Sequence, residues 1–311
     1  MARTNRPSRH FRLVELAAGV HAAVATDGGF ALCNSGIVDL GGATLIFDSG
    51  LTPQSGADLA RAAESLTGRP ADFLVNSHYH HDHIRGNQVF ATRRIIATAE
   101  TWELVRTRAK ADIATDRKEA KKRWDELRTG HTPAAPRDRA VLRGWYEGIL
   151  RSLPRLRLTL PNLTFDSELV LRGTRRTARV ITYGGGHSPS DTFVFLPDDR
   201  VAMLGDLLFN GYLPSINDGN PDDLVRILDR IGELRARTFL PGHGAPGGPR
   251  ALADMRSYVS SARERVERHR RAGRPRAELA RLQVPPKYRS WKFADFYPAT
   301  LDFLYGWGAR R

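Results

Sequence analysis

The stretch "VNSHYHHDHIRGN", residues 75–87, places four of the chain's ten histidines and one aspartate within six consecutive positions. In extended backbone, side chains two positions apart point to the same side, so His78 and His80 are expected to face one way. Asp82 and His83 follow where the chain is expected to turn into a short helix. Imidazole and carboxylate groups are the ligands that zinc and similar divalent ions take in proteins. The stretch therefore predicts one loop that serves two metal subsites.

Further acidic and histidine side chains are predicted at the ends of β-strands. Five strands are expected to run into loops that open with such a residue: "TLIFD" with Asp48, "FLVNSH" with His78, "VITYGGGH" with His187, "VAMLGD" with Asp206 and "TFLPGH" with His243. In open α/β sheets, ligands bind beyond the carboxyl ends of the strands. We therefore expect these five residues to meet at one edge. The glycines around His187 and His243 fit such a site, since glycine permits close approach of backbone segments.

A lone histidine after a strand is usually an ordinary core or surface residue, and His10, His21, His131 and His269 are interpreted so. A mixed cluster of histidine and aspartate is different, because burying it is costly unless it binds something. His81 occupies the variable position inside the motif, where a solvent-facing or supporting role is expected.

The order of predicted elements indicates an α/β protein, with strands that feed loops and helices between them. Thr52 before Pro53, and Asn220 before Pro221, are typical helix starts. We interpret residues 1–311 as a single domain. It carries a charged helical insertion over the active site at residues 99–160, and a C-terminal helix with an aromatic tail at residues 250–311.

Aromatic and apolar side chains in these two segments have different predicted roles. In the insertion, three are candidates to roof the site and to make a pocket for a hydrophobic acyl group: Trp124, Trp145 and Leu150. In the tail, four are expected to serve packing rather than a dimer interface or a substrate wall: Trp291, Phe293, Phe296 and Tyr297.

Composition excludes several other classes of protein. With 311 residues, 41% of them hydrophobic, the chain can bury a sizeable core. Its single cysteine, Cys33, rules out an internal disulfide and is expected to be a buried apolar residue. No run approaches the roughly 18 apolar residues of a membrane span, and the first residues lack the apolar stretch of a secretory signal. We therefore expect a cytoplasmic protein without a membrane partner.

The net charge of +14 is unevenly distributed. Residues 101–160 hold 15 Lys and Arg against 8 Asp and Glu, residues 251–311 hold 14 against 6, and the remainder holds 19 against 20. In "RKEAKKRWDELR" the acids lie between the bases, as on solvated helix faces. This pattern favours a solvated surface over a nucleic-acid patch, because phosphate binding requires an unopposed basic surface.

At the motif residues, the sequence resembles the metallo-β-lactamase superfamily of metallohydrolases. The resemblance runs in order over about residues 18–245 apart from the insertion, through "NSGIV", Asp48, "HYHHDH", "GHSPSD", "GDLLF" and "PGHG". It implies an αββα sandwich with a two-metal site at one edge. By position, it implies that His78, His80 and His187 bind one metal, and that Asp82, His83 and His243 bind the other. Asp206 would bridge the two, and Asp48 would orient a ligand.

"GDLLF" looks more like the glyoxalase II and lactonase branches than like dedicated β-lactamases, which generally lack an aspartate at the position of Asp206. The expected function is therefore hydrolysis of a small-molecule lactone, thioester or carboxylic ester by a metal-bridging hydroxide, with a β-lactam as a weaker candidate. Asp82 is the candidate catalytic residue, to orient the water and relay its proton. Asn210 and Tyr212, in "FNGYLPSIND", are candidates for substrate contact or oxyanion stabilisation.

Zinc is the favoured metal because the predicted ligands are rich in imidazole, although iron or manganese also suits such a site. Three other functions stay open at this point. The first is a phosphodiesterase or nuclease of the same superfamily, the second is a non-catalytic binding protein that keeps the fold, and the third, a minor alternative, is an oxidative enzyme with non-haem iron. Oligomeric state does not follow from these residues.

Overall fold

Two β-sheets, one of seven strands and one of five, lie at the centre of the fold. The computed structural model describes residues 7–132 and 134–308. The first sheet runs in chain order: β1 (Phe11–Ala17), β2 (Val20–Ala25), β3 (Ser35–Asp39), β4 (Thr44–Phe47), β5 (Phe73–Val75), β6 (Arg94–Thr98) and β7 (Leu163–Phe165). Its first four strands are antiparallel neighbours, and β4 to β7 are parallel.

The second sheet is mixed. Its strands are β8 (Glu168–Arg172), β9 (Thr177–Thr182), β10 (Thr192–Leu196), β11 (Val201–Asn210) and β12 (Thr238–Gly244). They lie in the order β12-β11-β10-β9-β8. Only the β11–β12 pair of this sheet is parallel. Four of the five strands whose carboxyl ends were expected to hold the site, β4, β5, β11 and β12, therefore belong to parallel pairs, whereas β9 is antiparallel to both of its neighbours.

Helices cover the sheets. They are α1 (Pro53–Thr67), α2 (His81–Ile84), α3 (Ala99–Leu104), α4 (Lys110–Arg128), α5 (Arg139–Ser152), α6 (Pro221–Glu233), α7 (Pro249–Arg271) and α8 (Tyr297–Gly308). Both predicted helix starts are confirmed: Thr52 Oγ1 accepts the Ser55 N–H before α1, and Asn220 Oδ1 accepts the Asp222 and Asp223 N–H groups before α6. In the described part of the chain, no helix has the length and apolar character needed to cross a membrane.

Three apolar cores lie between these layers and hold them together. Phe47 of the first sheet and Met203 of the second lie in the core between the sheets. Leu59 of α1 packs on the outer face of the first sheet. Leu228 of α6 and Tyr258 of α7 pack on the outer face of the second. The predicted αββα sandwich with a helical C-terminal extension is thus confirmed.

The segment between β6 and β7 is helical. It lies against the loop of residues 76–87, which carries the "HYHHDH" motif and is called the motif loop below. After α3, a π-helical turn (Val105–Ala109) continues directly into α4, and α5 packs against α4. A buried ion pair joins Arg85, two residues after His83, to Asp116 of α4. This pair anchors the insertion to the loop that carries most of the candidate metal ligands.

The aromatic tail is attached to the loop that follows β11. Lys292 N–H donates to Gly211 O at 2.9 Å, and Leu213 N–H donates to Lys292 O at 2.8 Å. Trp291 and Tyr297 contact the ring of Tyr258, with centroids 5.9 and 6.3 Å away. For these two residues of the tail, the predicted packing role agrees with their position.

Cys33 lies beneath the motif loop and is fully buried. Its thiol donates to Asp82 O at 2.9 Å, and burial raises its pKa to about 12. Since the thiolate is the reactive form, we expect no reaction of the native protein with Ellman's reagent at pH 8 and release of one thiol per chain in guanidinium. Rapid labelling of the native chain would contradict the buried position.

Candidate metal centre

The five strands bring their predicted residues to one edge, but two of these residues do not lie on loops. Asp48 directly follows β4, and His78 and His187 lie in the loops after β5 and β9. Asp206 and His243, in contrast, lie within β11 and β12. The expectation that each strand ends at its acidic or histidine residue was therefore wrong for these two. Pairing between β11 and β12 is irregular around Gly205 and resumes at Phe209, so β11 continues past Asp206.

The first group of candidate ligands is His78, His80, His187 and Asp206. His80 Nδ1 lies 2.9 Å from His78 Nε2 and 3.1 Å from His187 Nε2. Asp206 Oδ2 is 3.3 Å from His187 Nε2 and 4.0 Å from His78 Nε2. Four ligand atoms from three segments thus converge on one point, as a four-coordinate site requires.

The second group is Asp82, His83 and His243. His243 Nε2 lies 3.3 Å from Asp82 Oδ2 and 3.3 Å from Asp206 Oδ1. His83 Nε2 lies 3.2 Å from Asp206 Oδ1. One oxygen of Asp206 therefore faces the first group and the other faces the second, which is the position expected of a bridging carboxylate.

Charge in this centre is set by burial and by the neighbours of each group. Burial lowers the pKa of His187 to about 3, which leaves a neutral imidazole, the form that binds metals. Burial would also lower the pKa of His243, but Asp206 and Asp82 raise it to about 9. Burial would raise the pKa of Asp206, yet the histidines around it hold that pKa well below its usual range. Asp206 is therefore ionised at neutral pH.

Hydrogen bonds behind the ligands orient two of the imidazole rings. Asp48 Oδ2 accepts from His83 Nδ1 at 2.7 Å, so His83 presents Nε2 to the centre. Ser77 Oγ donates to Asp48 Oδ2 at 2.7 Å and lies 2.9 Å from His78 Nδ1. His78 then donates through Nδ1 and also presents Nε2. Such contacts fix the tautomer and direction of a metal-binding histidine. Asp48, for which the sequence predicts an orienting role, thus contacts the Nδ1 side of the His83 ring.

Asp191 is a supporting residue that the sequence reasoning missed. Its buried carboxylate accepts the backbone N–H groups of Gly186, His187 and Ser188 and the hydroxyl of Ser188. These bonds fold the "GHSPSD" loop around one side chain and so fix the backbone of His187. The only signal was the aspartate four residues after the histidine, which resembles an ordinary turn.

Asp218 is the second residue missed. Its Oδ2 lies 3.4 Å from His80 Nε2 and accepts from Tyr79 Oη at 2.6 Å, while Arg108 donates to Oδ1 at 2.8 Å. Burial would raise the pKa of Asp218, but His80, Tyr79 and Arg108 lower it to about 2. The ionised carboxylate leaves Nδ1 of His80 facing the centre. Arg108 belongs to the insertion, which is therefore connected to a candidate ligand through Asp218.

We expect Asp218→Asn to weaken metal binding by about 10- to 100-fold, the usual effect of losing a partner that orients a histidine ligand. Competition with a chromophoric chelator measures the affinity. Asp229→Asn is the matched control, because Asp229 also pairs with an arginine but lies on the surface of α6. Equal metal affinity in Asp218→Asn and in the unmodified chain would show that Asp218 has no orienting role.

The residues of the centre fit a pair of metal ions. His83 Nε2 and Asp206 Oδ1 are buried and close together, yet neither makes a hydrogen bond within the described residues. Three imidazole nitrogens of the first group point at one another at distances of 2.9 and 3.1 Å. Buried polar atoms that face each other without protons to share are explained by a cation between them. The donor set of nitrogen and carboxylate oxygen suits zinc, iron or manganese.

The centre forms the floor of a cavity of about 280 Å³. Tyr212 and Trp145 line it, whereas the amide of Asn210 donates to Ala245 O outside the lining. Trp124 and Leu150 lie outside it too, and Leu150 packs in a core within the insertion. Of the three side chains of the insertion that were expected to cover the site, only Trp145 therefore lines the cavity.

Two tail residues expected to serve packing, Phe293 and Phe296, do line the cavity. His81, at the variable motif position, lines it as well and stacks on Trp145 with centroids 5.7 Å apart. No local sequence pattern marks these contacts, because they join segments that are distant along the chain.

Known proteins share this fold. The family model described as "Metallo-beta-lactamase superfamily" matches residues 28–243. A solved metallo-beta-lactamase from Pontibacter korlensis is 15% identical, with a TM-score of 0.59 over 80% of this chain and 99% of that one. One from Erythrobacter litoralis is 17% identical, with a TM-score of 0.57 over 81% and 97%. With the family model covering most of the chain and the candidate ligands brought together, the chain belongs to the metallo-β-lactamase superfamily.

Proposed function

We propose that the protein is a hydrolase that cleaves a lactone, thioester or carboxylic ester with two divalent metal ions, most simply zinc. The observation that carries the proposal is the pair of ligand groups joined by Asp206 at the floor of a cavity. In the reaction, water adds to the acyl carbonyl and the bond to the leaving oxygen or sulfur breaks. The leaving group takes a proton, so the products are a carboxylic acid and an alcohol or thiol.

His78, His80, His187 and Asp206 would hold one ion, and Asp82, His83, His243 and Asp206 would hold the other. When bound, such ions polarise a carbonyl and lower the pKa of water towards about 7. No nucleophilic side chain is then required.

Asp82 and Tyr212 line the cavity, and their carboxylate and phenol groups can assist the hydrolysis. Burial would raise the pKa of Asp82, but His83 and His243 lower it well below its usual range, so its carboxylate is ionised and can orient a water by accepting a hydrogen bond from it. Asp82 would also relay the proton of that water to the leaving group. Burial raises the pKa of Tyr212, which keeps its proton. Lys292 Nζ donates to Tyr212 Oη at 3.2 Å, so the phenol proton remains available to a substrate oxygen.

Asp206 in "GDLLF" supports the glyoxalase II and lactonase branches over dedicated β-lactamases. The solved metallo-β-lactamases above share only the fold with this chain at their low identity, so a β-lactam stays the weaker candidate. A cytoplasmic location, too, stays a prediction from the sequence.

Charge pairing in the insertion supports a small-molecule substrate over a nucleic acid. Along α4, Lys121 pairs with Asp125, and Arg123 pairs with Glu119, each one turn apart. Arg151 of α5 pairs with Glu147 in the same way. These bases are opposed by acids on the same helix face, whereas phosphate binding favours unopposed charge.

Proton release in a pH-stat tests the proposal across a lactone, a thioester, a simple ester and a phosphodiester. We expect release from at least one acyl substrate that stops with a chelator and returns with zinc. Release from the phosphodiester alone would replace the proposal with a phosphodiesterase. Metal-loaded protein that is inert on every substrate would refute hydrolysis as its function.

A further inference from the structure

One wall of the cavity is aromatic and comes from segments outside the sandwich. Trp145 of α5 and the pair Phe293 and Phe296 of the tail line it. The rings of Phe293 and Phe296 stack with centroids 5.3 Å apart and an interplanar angle of 13°. The family match ends at residue 243, so this pair belongs to the C-terminal extension of the chain.

The wall is fixed in place rather than loosely attached. The backbone hydrogen bonds on either side of Lys292 tie the tail to the loop after β11. Lys292 Nζ also donates to both carboxylate oxygens of Asp27, at 2.5 and 2.6 Å, and so connects the tail to the β2–β3 connection. Phe296 nevertheless remains 44% exposed at the rim. A large apolar side chain left open beside a cavity is a common mark of a binding surface for apolar groups.

The lysine and arginine content of the cavity lining differs from that of the whole chain, which is strongly basic. Of 48 lysines and arginines, none within the described residues lines the cavity. Two cations that adjoin lining residues are already paired, Lys292 with Asp27 and Arg108 with Asp218. A carboxylate or phosphate on the part of a substrate that packs against the aromatic wall would lose part of its hydration without gaining a cationic partner.

We infer that the cavity selects an uncharged substrate, an ester, thioester or lactone whose acyl part is a short alkyl chain or a single aromatic ring, and that it discriminates against the same substrate with a distal anionic group. The inference rests on the proposed hydrolase function and adds the substrate class. The cavity of about 280 Å³ limits the size of the group, and the wall of Trp145, Phe293 and Phe296 provides the apolar contact. Phe296 is a specificity-determining residue in this arrangement.

A matched pair of esters tests the selection with the zinc-loaded full chain. One is 4-nitrophenyl hexanoate, and the other is the mono-4-nitrophenyl ester of adipic acid, which has the same length and a terminal carboxylate. We expect kcat/KM to be at least about tenfold higher for the uncharged ester, from the cost of burying an unpaired charge. Equal or better hydrolysis of the charged ester would overturn the inference while leaving the hydrolase function intact.

Phe296→Arg should reduce this preference by about fivefold or more, because the new guanidinium offers the carboxylate a partner. Leu163→Arg is the matched control: Leu163 is the other exposed large apolar residue in the described chain, at 36% exposure, and it lies in β7. It adds the same charge without touching the cavity lining. An equal shift in both variants would mean that overall charge, and not the wall, sets the preference, and would overturn the role of Phe296.

If no ester is cleaved, the hydrolase proposal fails, and binding then tests the wall separately. The probe is N-phenyl-1-naphthylamine, an uncharged dye that fluoresces in apolar surroundings, titrated into metal-free protein. Binding that Phe296→Arg weakens at least about fivefold more than Leu163→Arg supports an apolar-binding wall. No binding, or equal binding in the two variants, overturns it. Far-UV circular dichroism checks that both variants are folded.

Discussion

Replacing Asp206 by asparagine is expected to abolish stable metal binding at both subsites and to lower kcat/KM by more than about 100-fold. Loss of a residue that merely orients a ligand costs about 10- to 100-fold in affinity or activity, and Asp206 faces both ligand groups directly. An amide keeps the shape of the side chain but removes the charge that balances the surrounding imidazoles and the ions. Elemental analysis after gel filtration, with ester hydrolysis on the same samples, measures both effects.

Asp166→Asn is a suitable control for this variant, since Asp166 is exposed in the turn between β7 and β8. It is expected to retain metal and activity. Full activity at unchanged metal content in Asp206→Asn would be incompatible with a bridging role and would remove the basis of the proposed function.

The second large effect is on stability. Asp116→Ala is expected to lower the free energy of unfolding by about 3–5 kcal/mol, because it leaves the charge of buried Arg85 without its main partner. Guanidinium denaturation of metal-free protein measures the change. Replacing both residues, as Arg85→Met with Asp116→Leu, should restore most of the loss, since a well-packed apolar pair avoids the burial of charge.

Glu119→Ala provides the comparison within the same helix. Glu119 pairs with Arg123 at the exposed surface of α4, where such a pair contributes about 0–1 kcal/mol. If Asp116→Ala costs no more than Glu119→Ala, the buried pair does not anchor the insertion, and the attachment of α4 to the motif loop must depend on apolar contacts instead.

The candidate ligands could be predicted from the sequence because their signals are local. The spacing within "HYHHDH" and the glycines beside His187 and His243 are visible within a few residues. The helix caps at Thr52 and Asn220 are local as well, and the structure has both. Each of these features depends on geometry that neighbouring residues determine, namely side-chain direction in extended chain or a free N–H at a helix start.

Features that depend on tertiary contacts could not be predicted in the same way. Asp206 lies inside β11 because pairing with β12 resumes beyond Gly205, and a strand end after "GD" is equally consistent with the sequence. Asp218 reaches His80 across 138 residues, and the tail reaches Tyr212 through a bridge at Lys292. From the sequence alone, Phe293 is therefore predicted to be a packing residue, because nothing near it in the sequence indicates the bridge between Tyr212 and Lys292.

A zinc titration of metal-free protein, with bound metal and hydrolysis of 4-nitrophenyl hexanoate recorded at each point, tests whether the protein is a two-metal hydrolase. We expect activity to appear with bound zinc, binding to saturate at two ions per chain, and a chelator to reverse both. Full activity in protein shown to be free of metal would contradict the two-metal hydrolase, as would saturation without any hydrolysis of an acyl substrate.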